Sequence, residues 1–251
     1  MAEKELISYL AKVNHQNPDK YSYLSLADQV RAWMNITYPR DLSPEFYQEQ
    51  DKYLQERLSH LKVTDVNTLS FKNRLCVYRG DITLLKADAI VNAGNPELLG
   101  CFVECHSCID NAIHSYSGLQ VRRDLMEMLA KQGHEEPTGQ VKVTLGYNLP
   151  SRYIFHTVGP VADDPLSDEN RADLCSCYLA CLKEAQRRQL TSLVFCSLST
   201  GVYGFPIEQA SRIAVDTVRS FLKTSSYPLK VVFDVFSERD YRIYVQRVSE
   251  S

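Results

Sequence analysis

The sequence predicts an α/β protein: a three-layer α/β/α domain with a mixed sheet, preceded by a helical N-terminal extension. Three observations carry this. From residue 75 onward, β-rich runs alternate with helical ones, the arrangement that lays helices on both faces of a sheet. Several strand runs are nearly continuous in apolar residues, as expected of strands covered on both sides. Residues 1–73 lack such runs and keep helical spacing, which assigns 1–73 to the extension and 74–251 to the α/β domain.

Taken in order, "YLSLADQVRAWMNI" sets Leu24, Leu26, Val30, Trp33 and Met34 broadly on one helical stripe. "SPEFYQEQDKYLQERLSHL" opens with Ser43 as N-cap and Pro44 at the first helical position. These helices are expected to cover a flank of the main domain. Strands are expected in "LCVYRGDIT", "ADAIVNAG", "VKVTLGYNL", "RYIFHTVGP", "TSLVFCSLST" and "LKVVFDVF". Helices are expected at about 109–131, 168–189, 206–223 and 239–248. Ligands in such sheets bind beyond the C-terminal strand ends, so the strand-to-helix loops are where a site belongs.

With 28 Lys and Arg against 31 Asp and Glu, the formal charge is -3. No global field attracts nucleic acid or an anionic membrane, and no basic stripe with interleaved aromatics appears. "MAEKELISYLAKVNHQ" has no apolar core or small-residue cleavage site, and no apolar run is long enough to cross a bilayer. The expectation is a cytoplasmic protein, with nothing demanding more than a monomer. In a reducing compartment the eight cysteines read as thiols or metal ligands rather than disulfides.

Two loops look built for a ligand. "SLSTGVYGFPIEQA" leaves an apolar strand, passes Ser199, Thr200, Gly201 and Gly204, and enters a helix with Pro206 near its first turn. Glycines let successive backbone N–H groups converge on an oxyanion, and the helix N-terminus adds partial positive charge. "AIVNAGN" ends a strand in Asn92 and Asn95, amides that either brace a loop or recognise ligand hydroxyls.

The stretch that follows, "GCFVECHSCIDNAIH", offers Cys101, Cys105, His106 and Cys108 as soft or borderline donors suited to zinc. All lie in one short loop, with no second paired motif elsewhere. Neighbouring side chains at 105 and 106 reach one ion together only with difficulty. Three ligands and an open position, the pattern of a catalytic metal, is the economical reading. Spacing leaves open whether Cys101 or Cys105 completes the set. Asp110 and His114, four apart at the start of a helix, project from one face, with Asp110 within reach of a water near the metal. Cys175, Cys177 and Cys181 in "LCSCYLAC", and Cys76 and Cys196 within strands, read as small buried hydrophobes.

"GDI" at 80–82, "VNAGN" at 91–95, "IDNAIH" at 109–114, "TG" at 138–139, "FHTVGP" at 155–160 and "STGVYGFP" at 199–206 resemble the macrodomain family in order and spacing. The cysteine-bearing loop and the helical extension resemble its zinc-containing microbial subclass of MacroD-type hydrolases. That resemblance implies a protein-ADP-ribose hydrolase that removes mono-ADP-ribose from acidic-residue linkages. A sirtuin-type ADP-ribosyltransferase and a lipoyl carrier protein are implied as partners. It further implies that Asp81, with Ile82 beside it, receives the adenine amino group, and that Asn95 contacts the distal ribose while Asn92 shapes the same pocket; His114 reads from its place on the helix as a structural or substrate-positioning residue. Ser199, Thr200, Gly201, Val202, Tyr203, Gly204 and Phe205 would cradle the diphosphate. Phe236, or in second place Tyr241, would stack on adenine. The resemblance makes Cys101, His106 and Cys108 the ligands of a Zn2+ cofactor, and Asp110 and Asn95 the catalytic pair. A module that only reads ADP-ribosylated proteins, with a structural zinc, would use the same words at 80–95 and 199–206. It would have no need of the donors together with Asp110.

Overall fold

The computed structural model describes residues 3–39 and 42–250. Three helices come first: α1 (Glu3–Val13), α2 (Leu26–Ile36) and α3 (Pro44–Ser59). They bury Leu6, Leu10, Trp33, Phe46 and Leu54 in a cluster of their own, closed by Leu119 of the main domain. Ser43 caps α3 as expected, its Oγ accepting from the Phe46 N–H at 3.2 Å, with Pro44 as the first helical residue. On α2 the stripe is shorter than its sequence suggested. Ser25 is the N-cap, so Leu24 precedes the helix and Leu26 in its first turn is exposed, while Val30, Trp33 and Met34 are buried.

The chain continues through β1 (Thr64–Asp65), β2 (Leu75–Arg79), β3 (Leu85–Lys86) and β4 (Ala89–Gly94). Then come α4 (Ile109–Ser117), α5 (Leu119–Gln132), β5 (Val141–Leu145), β6 (Tyr153–Val158) and α6 (Asp168–Arg187). Last are β7 (Ser192–Phe195), α7 (Ile207–Thr224), β8 (Lys230–Val235) and α8 (Glu238–Ser249). Each of the six expected strand runs holds one strand of the main sheet, ordered β2-β8-β7-β4-β6-β5. β5 is antiparallel to β6 and every other pairing is parallel, so the sheet is mixed. β1 and β3 pair separately.

Apolar side chains on both faces explain why the central strands read as continuous runs: Ile90 and Val91 of β4, Phe155 of β6 and Val194 of β7 are all inaccessible. Cys177 and Cys181 lie in the same core and Cys76 and Cys196 are buried, as expected of small apolar side chains.

The single helix expected over 109–131 is two helices, broken at Gly118. Its φ of 101° favours glycine, and a Cβ there would meet Gln120 Oε1 and Gln50 Nε2 at 2.6 Å. Gln50, on α3, accepts the Leu119 N–H at 2.9 Å. A side chain from the N-terminal helices thus satisfies the first free donor of α5. Because β2, β8, β7, β4 and β6 run parallel, the loops after β2, β4, β7 and β8 all open along one edge of the sheet. Among the described residues no helix is long and apolar enough to cross a membrane.

Candidate active site

Cross-strand register fixes the centre of this edge. Asn92 on β4 lies opposite His156 on β6, both inaccessible to solvent. The Asn92 Nδ2 group donates to His156 Nδ1 at 3.2 Å and to Asp110 Oδ1 at 2.7 Å. With Nδ1 accepting, His156 carries its proton on Nε2 and donates to Thr144 Oγ1 at 2.9 Å. Asn92 therefore grips the carboxyl of Asp110 rather than only shaping a pocket wall. His156 and Thr144 are its braces. Sequence reasoning had His156 inside the "FHTVGP" word but gave it no role.

Asp110 is buried on the first turn of α4. Burial pushes its carboxyl up to about 6, against the downward pull of the Asn92 hydrogen bond and the Arg122 guanidinium. His114, one turn on, has its Nε2 3.4 Å from Asp110 Oδ1 but makes no hydrogen bond there. Burial holds it well below the ordinary imidazole range, so it is neutral. Gly100 explains how the loop passes over it: a Cβ at Gly100 would meet the His114 ring at 2.8 Å, and the φ of 82° suits glycine alone. His114 is thus a buried floor beneath the loop, with no hydrogen-bond partner for either ring nitrogen among the described residues.

Neutral buried histidine has a stability consequence. Burial depresses His156 to about 3 from its ordinary 6.5. Between those values the unfolded chain binds a proton that the folded chain does not, so stability rises with pH across that window and is lost as pH falls. The expected result for His156→Gln, whose amide can still link Asn92 and Thr144, is an acid-side slope shallower by about 1.4 kcal/mol per pH unit. Urea midpoints between pH 4 and pH 6.5 measure it. Equal slopes in the two proteins would refute the assignment.

The donor loop resolves what spacing left open. Cys101 Sγ lies 3.6 Å from His106 Nδ1. The ligand atoms of Cys101, His106 and Cys108 all fall within 4.8 Å of one another. Around one zinc, sulfur–sulfur and sulfur–nitrogen separations are about 3.8 and about 3.5 Å, so this set fits such an ion with small adjustments. Cys105 turns away. Its φ of 50° directs the thiol to the Asp28 carbonyl at 3.4 Å, toward the N-terminal helices. Cys108 is also the N-cap of α4, its sulfur accepting the Asn111 N–H at 3.4 Å. The donor cluster and Asp110 are thereby joined to the same turn.

The remaining residues lie along the same sheet edge. Asn95 donates through Nδ2 to the Gly100 carbonyl at 3.3 Å, while its Oδ1 has no partner. After β7, Ser199 adopts a φ of 62° and Gly204 a φ of 69°, and the loop is closed by Phe205 N–H to Ser199 O at 2.9 Å. Among the described residues no acceptor meets the backbone N–H groups of Gly201, Val202 and Tyr203. A Cβ at Gly201 would touch nothing within 4 Å. This is a loop of unspent donors leading to the N-terminus of α7, where Pro206 itself is the N-cap. Thr200 Oγ is spent on the Ser197 carbonyl, and the Phe205 side chain is in the core. Both support the loop from within.

At the far end, Gly80 N–H donates to the Val235 carbonyl, which sets "GDI" beside the end of β8. Asp81 is exposed. Its Oδ1 holds Thr83, leaving Oδ2 for a ligand amine. Ile82, by contrast, is buried in the core. Phe236 is 90% exposed just past β8, whereas Tyr241 packs on the core. Only Phe236 offers a free aromatic face.

Comparison with known proteins gives the family and the fold. A Macro domain family profile matches residues 91–214. A protein-ADP-ribose hydrolase of Treponema medium is 39% identical, covering 99% of this chain and 100% of its own length. A protein-ADP-ribose hydrolase of Staphylococcus aureus strain Mu50 is 44% identical over 91% of this chain and 86% of its own. Among solved structures, a Trypanosoma brucei macrodomain in complex with ADP-ribose superposes with a TM-score of 0.68 at 31% identity, over 87% of this chain and 94% of that one.

Proposed function

We propose, from the premise that the chain belongs to the Macro domain family, that it is a protein-ADP-ribose hydrolase cleaving the bond between the distal ribose and a protein carboxylate. One observation carries the reading. Along a single sheet edge lie an exposed aromatic at Phe236, a run of unspent N–H donors at 201–203, and a carboxyl at Asp110 gripped by Asn92. Their order matches adenine, diphosphate and distal ribose. The relatives named protein-ADP-ribose hydrolase support it.

In this reading Phe236 stacks on adenine and Asp81 accepts its amino group. The N–H groups of Gly201, Val202 and Tyr203 converge on the diphosphate with the α7 N-terminus behind them. Asn95 turns its unpartnered Oδ1 to a ribose hydroxyl. Asp110, held by Asn92, orients a water and takes its proton as the glycosidic bond opens. Cys101, His106 and Cys108 would hold a zinc ion, which when bound would polarise the scissile group and make nearby water more acidic. Soft thiolates and imidazole in that spacing favour zinc over a harder cation.

The test is release of free ADP-ribose from a protein mono-ADP-ribosylated on acidic residues. A lipoyl carrier protein modified by a sirtuin-type transferase serves as a second substrate. A module that only binds would leave both modified proteins intact. Alongside, Gly201→Glu places a carboxylate where the diphosphate belongs, in open space that the folded chain tolerates. Calorimetry is expected to show ADP-ribose affinity falling by about 100-fold or more at an unchanged melting temperature. Undiminished affinity would remove the diphosphate from this loop.

A further inference from the structure

The N-terminal helices do more than cover a flank, because they are bonded to the donor loop itself. Tyr21 OH donates to Glu104 Oε1 at 2.7 Å, and Lys20 pairs with the same carboxylate at 3.6 Å. Asn35 Oδ1 accepts the Cys105 N–H at 2.9 Å, holding that residue in its left-handed conformation. Arg31, on α2, reaches furthest. Its Nη2 donates to the His106 carbonyl at 2.9 Å, and Nη2 and Nε together fork onto Asn111 Oδ1 at 2.7 and 3.2 Å.

Asn111 is wholly buried on α4 and spends its whole amide group on this knot. Its Nδ2 donates to the Cys101 carbonyl at 3.4 Å and the Val103 carbonyl at 2.9 Å. Its backbone N–H donates to Cys108 Sγ. Each of the three metal donors is therefore one hydrogen bond from Arg31 or Asn111: Cys101 through its carbonyl, His106 through its carbonyl, Cys108 through its sulfur. The loop carries four potential donors: Asn35 and the Asp28 carbonyl hold Cys105 aside, and the Arg31–Asn111 knot ties down the backbone of the three that converge.

We propose that Arg31 and Asn111 are positioning residues for the metal, the guanidinium fork of α2 setting the three-donor geometry from outside the α/β domain. This rests on the reading of Cys101, His106 and Cys108 as zinc ligands. It makes the N-terminal helices part of the catalytic apparatus. The fork matters, because one group must reach both a carbonyl and an amide oxygen in fixed geometry, which a lysine ammonium does poorly. Loss of Arg31 leaves the buried Asn111 Oδ1 with only Ser115 Oγ at 3.3 Å, and frees the amide to rotate off the Cys101 and Val103 carbonyls.

The experiment uses the full chain, stripped of metal and titrated with Zn2+ against a chromophoric chelator, and with Co2+ to record thiolate charge-transfer and ligand-field bands. Arg31→Ala is expected to weaken zinc binding about 10- to 100-fold and to shift the cobalt bands, with the melting temperature of the metal-free protein little changed. Arg31→Lys is expected to fall between Arg31→Ala and the parent, and it decides the matter if the alanine protein does not fold. Tyr21→Phe cuts a link from the same helices to the loop that touches no donor residue, and should leave affinity and spectrum as in the parent.

Parental zinc affinity and an unaltered cobalt spectrum in Arg31→Ala and Arg31→Lys would overturn this inference alone, the zinc reading surviving. An equal loss in Tyr21→Phe would overturn it too, since helix docking in general and not the Arg31–Asn111 knot would then be responsible. A parent that binds no zinc would overturn the zinc reading, and this inference with it.

Discussion

Asp110→Asn is expected to bind ADP-ribose about as tightly as the parent and to turn over about 1,000-fold more slowly, the middle of the range for loss of a positioned general base. The substitution is close to silent in shape. The amide oxygen can occupy the place of Oδ1 and still accept from Asn92 Nδ2, now at 2.7 Å from the carboxylate. The chain Thr144–His156–Asn92 then stays assembled. What vanishes is the capacity to accept a proton.

Asp110→Ala is the less clean experiment. It removes the partner of a buried Asn92 amide and leaves a donor unsatisfied, at a cost of about 1–3 kcal/mol in stability. Lost turnover in that protein would then mix chemistry with loosening of β4 against α4. Calorimetric titration with ADP-ribose and a time course of release from the modified protein, run on Asp110→Asn, separate the two effects. Parental turnover by Asp110→Asn would remove Asp110 from the mechanism.

How far the sequence reaches depends on whether a feature is local. The central strands were readable because a doubly covered strand must be apolar along its length, which is a property of four to six consecutive residues. The words around Asn92, Asp110 and Gly201 were readable for the same reason: each sits at one strand end or helix start. What local spacing missed or left open needed a partner from far away. The break at Gly118 is set by Gln50 of α3, and the choice of Cys101 over Cys105 by Asn35 and Asp28 of α2. The brace role of His156 depends on a register that places it opposite Asn92. Ile82 and Phe205, drawn into the site by their neighbours, turn the other way into the core. Within a motif, successive side chains do not share a direction, so a match of words overstates how many of them face the ligand.

Cys101→Ala is expected to lower turnover at least about 100-fold, since a metal polarising the scissile group is worth several kcal/mol, while the thermal midpoint shifts little. The reason lies in where the loop sits. The main core draws on residues from Val66 to Val248 and includes none of the three donors, and the N-terminal helices have a separate cluster. The fold therefore would not hang on a metal bound there. Among the donors Cys101 is the clean target: its sulfur meets the other two donors, His106 and Cys108, and the carbonyl it lends to Asn111 survives substitution. Cys108→Ala would also remove the α4 N-cap, worth about 1 kcal/mol, and blur the comparison. Chelation of the parent should reproduce the loss, and added Zn2+ should restore the parent but not Cys101→Ala. Cys105→Ala should turn over like the parent, because its thiol faces the Asp28 carbonyl. A structural clip would behave otherwise: melting temperature and ADP-ribose affinity would fall together with turnover when the ion is withdrawn. Full activity in a chelated protein shown to be metal-free would exclude a catalytic ion at Cys101, His106 and Cys108.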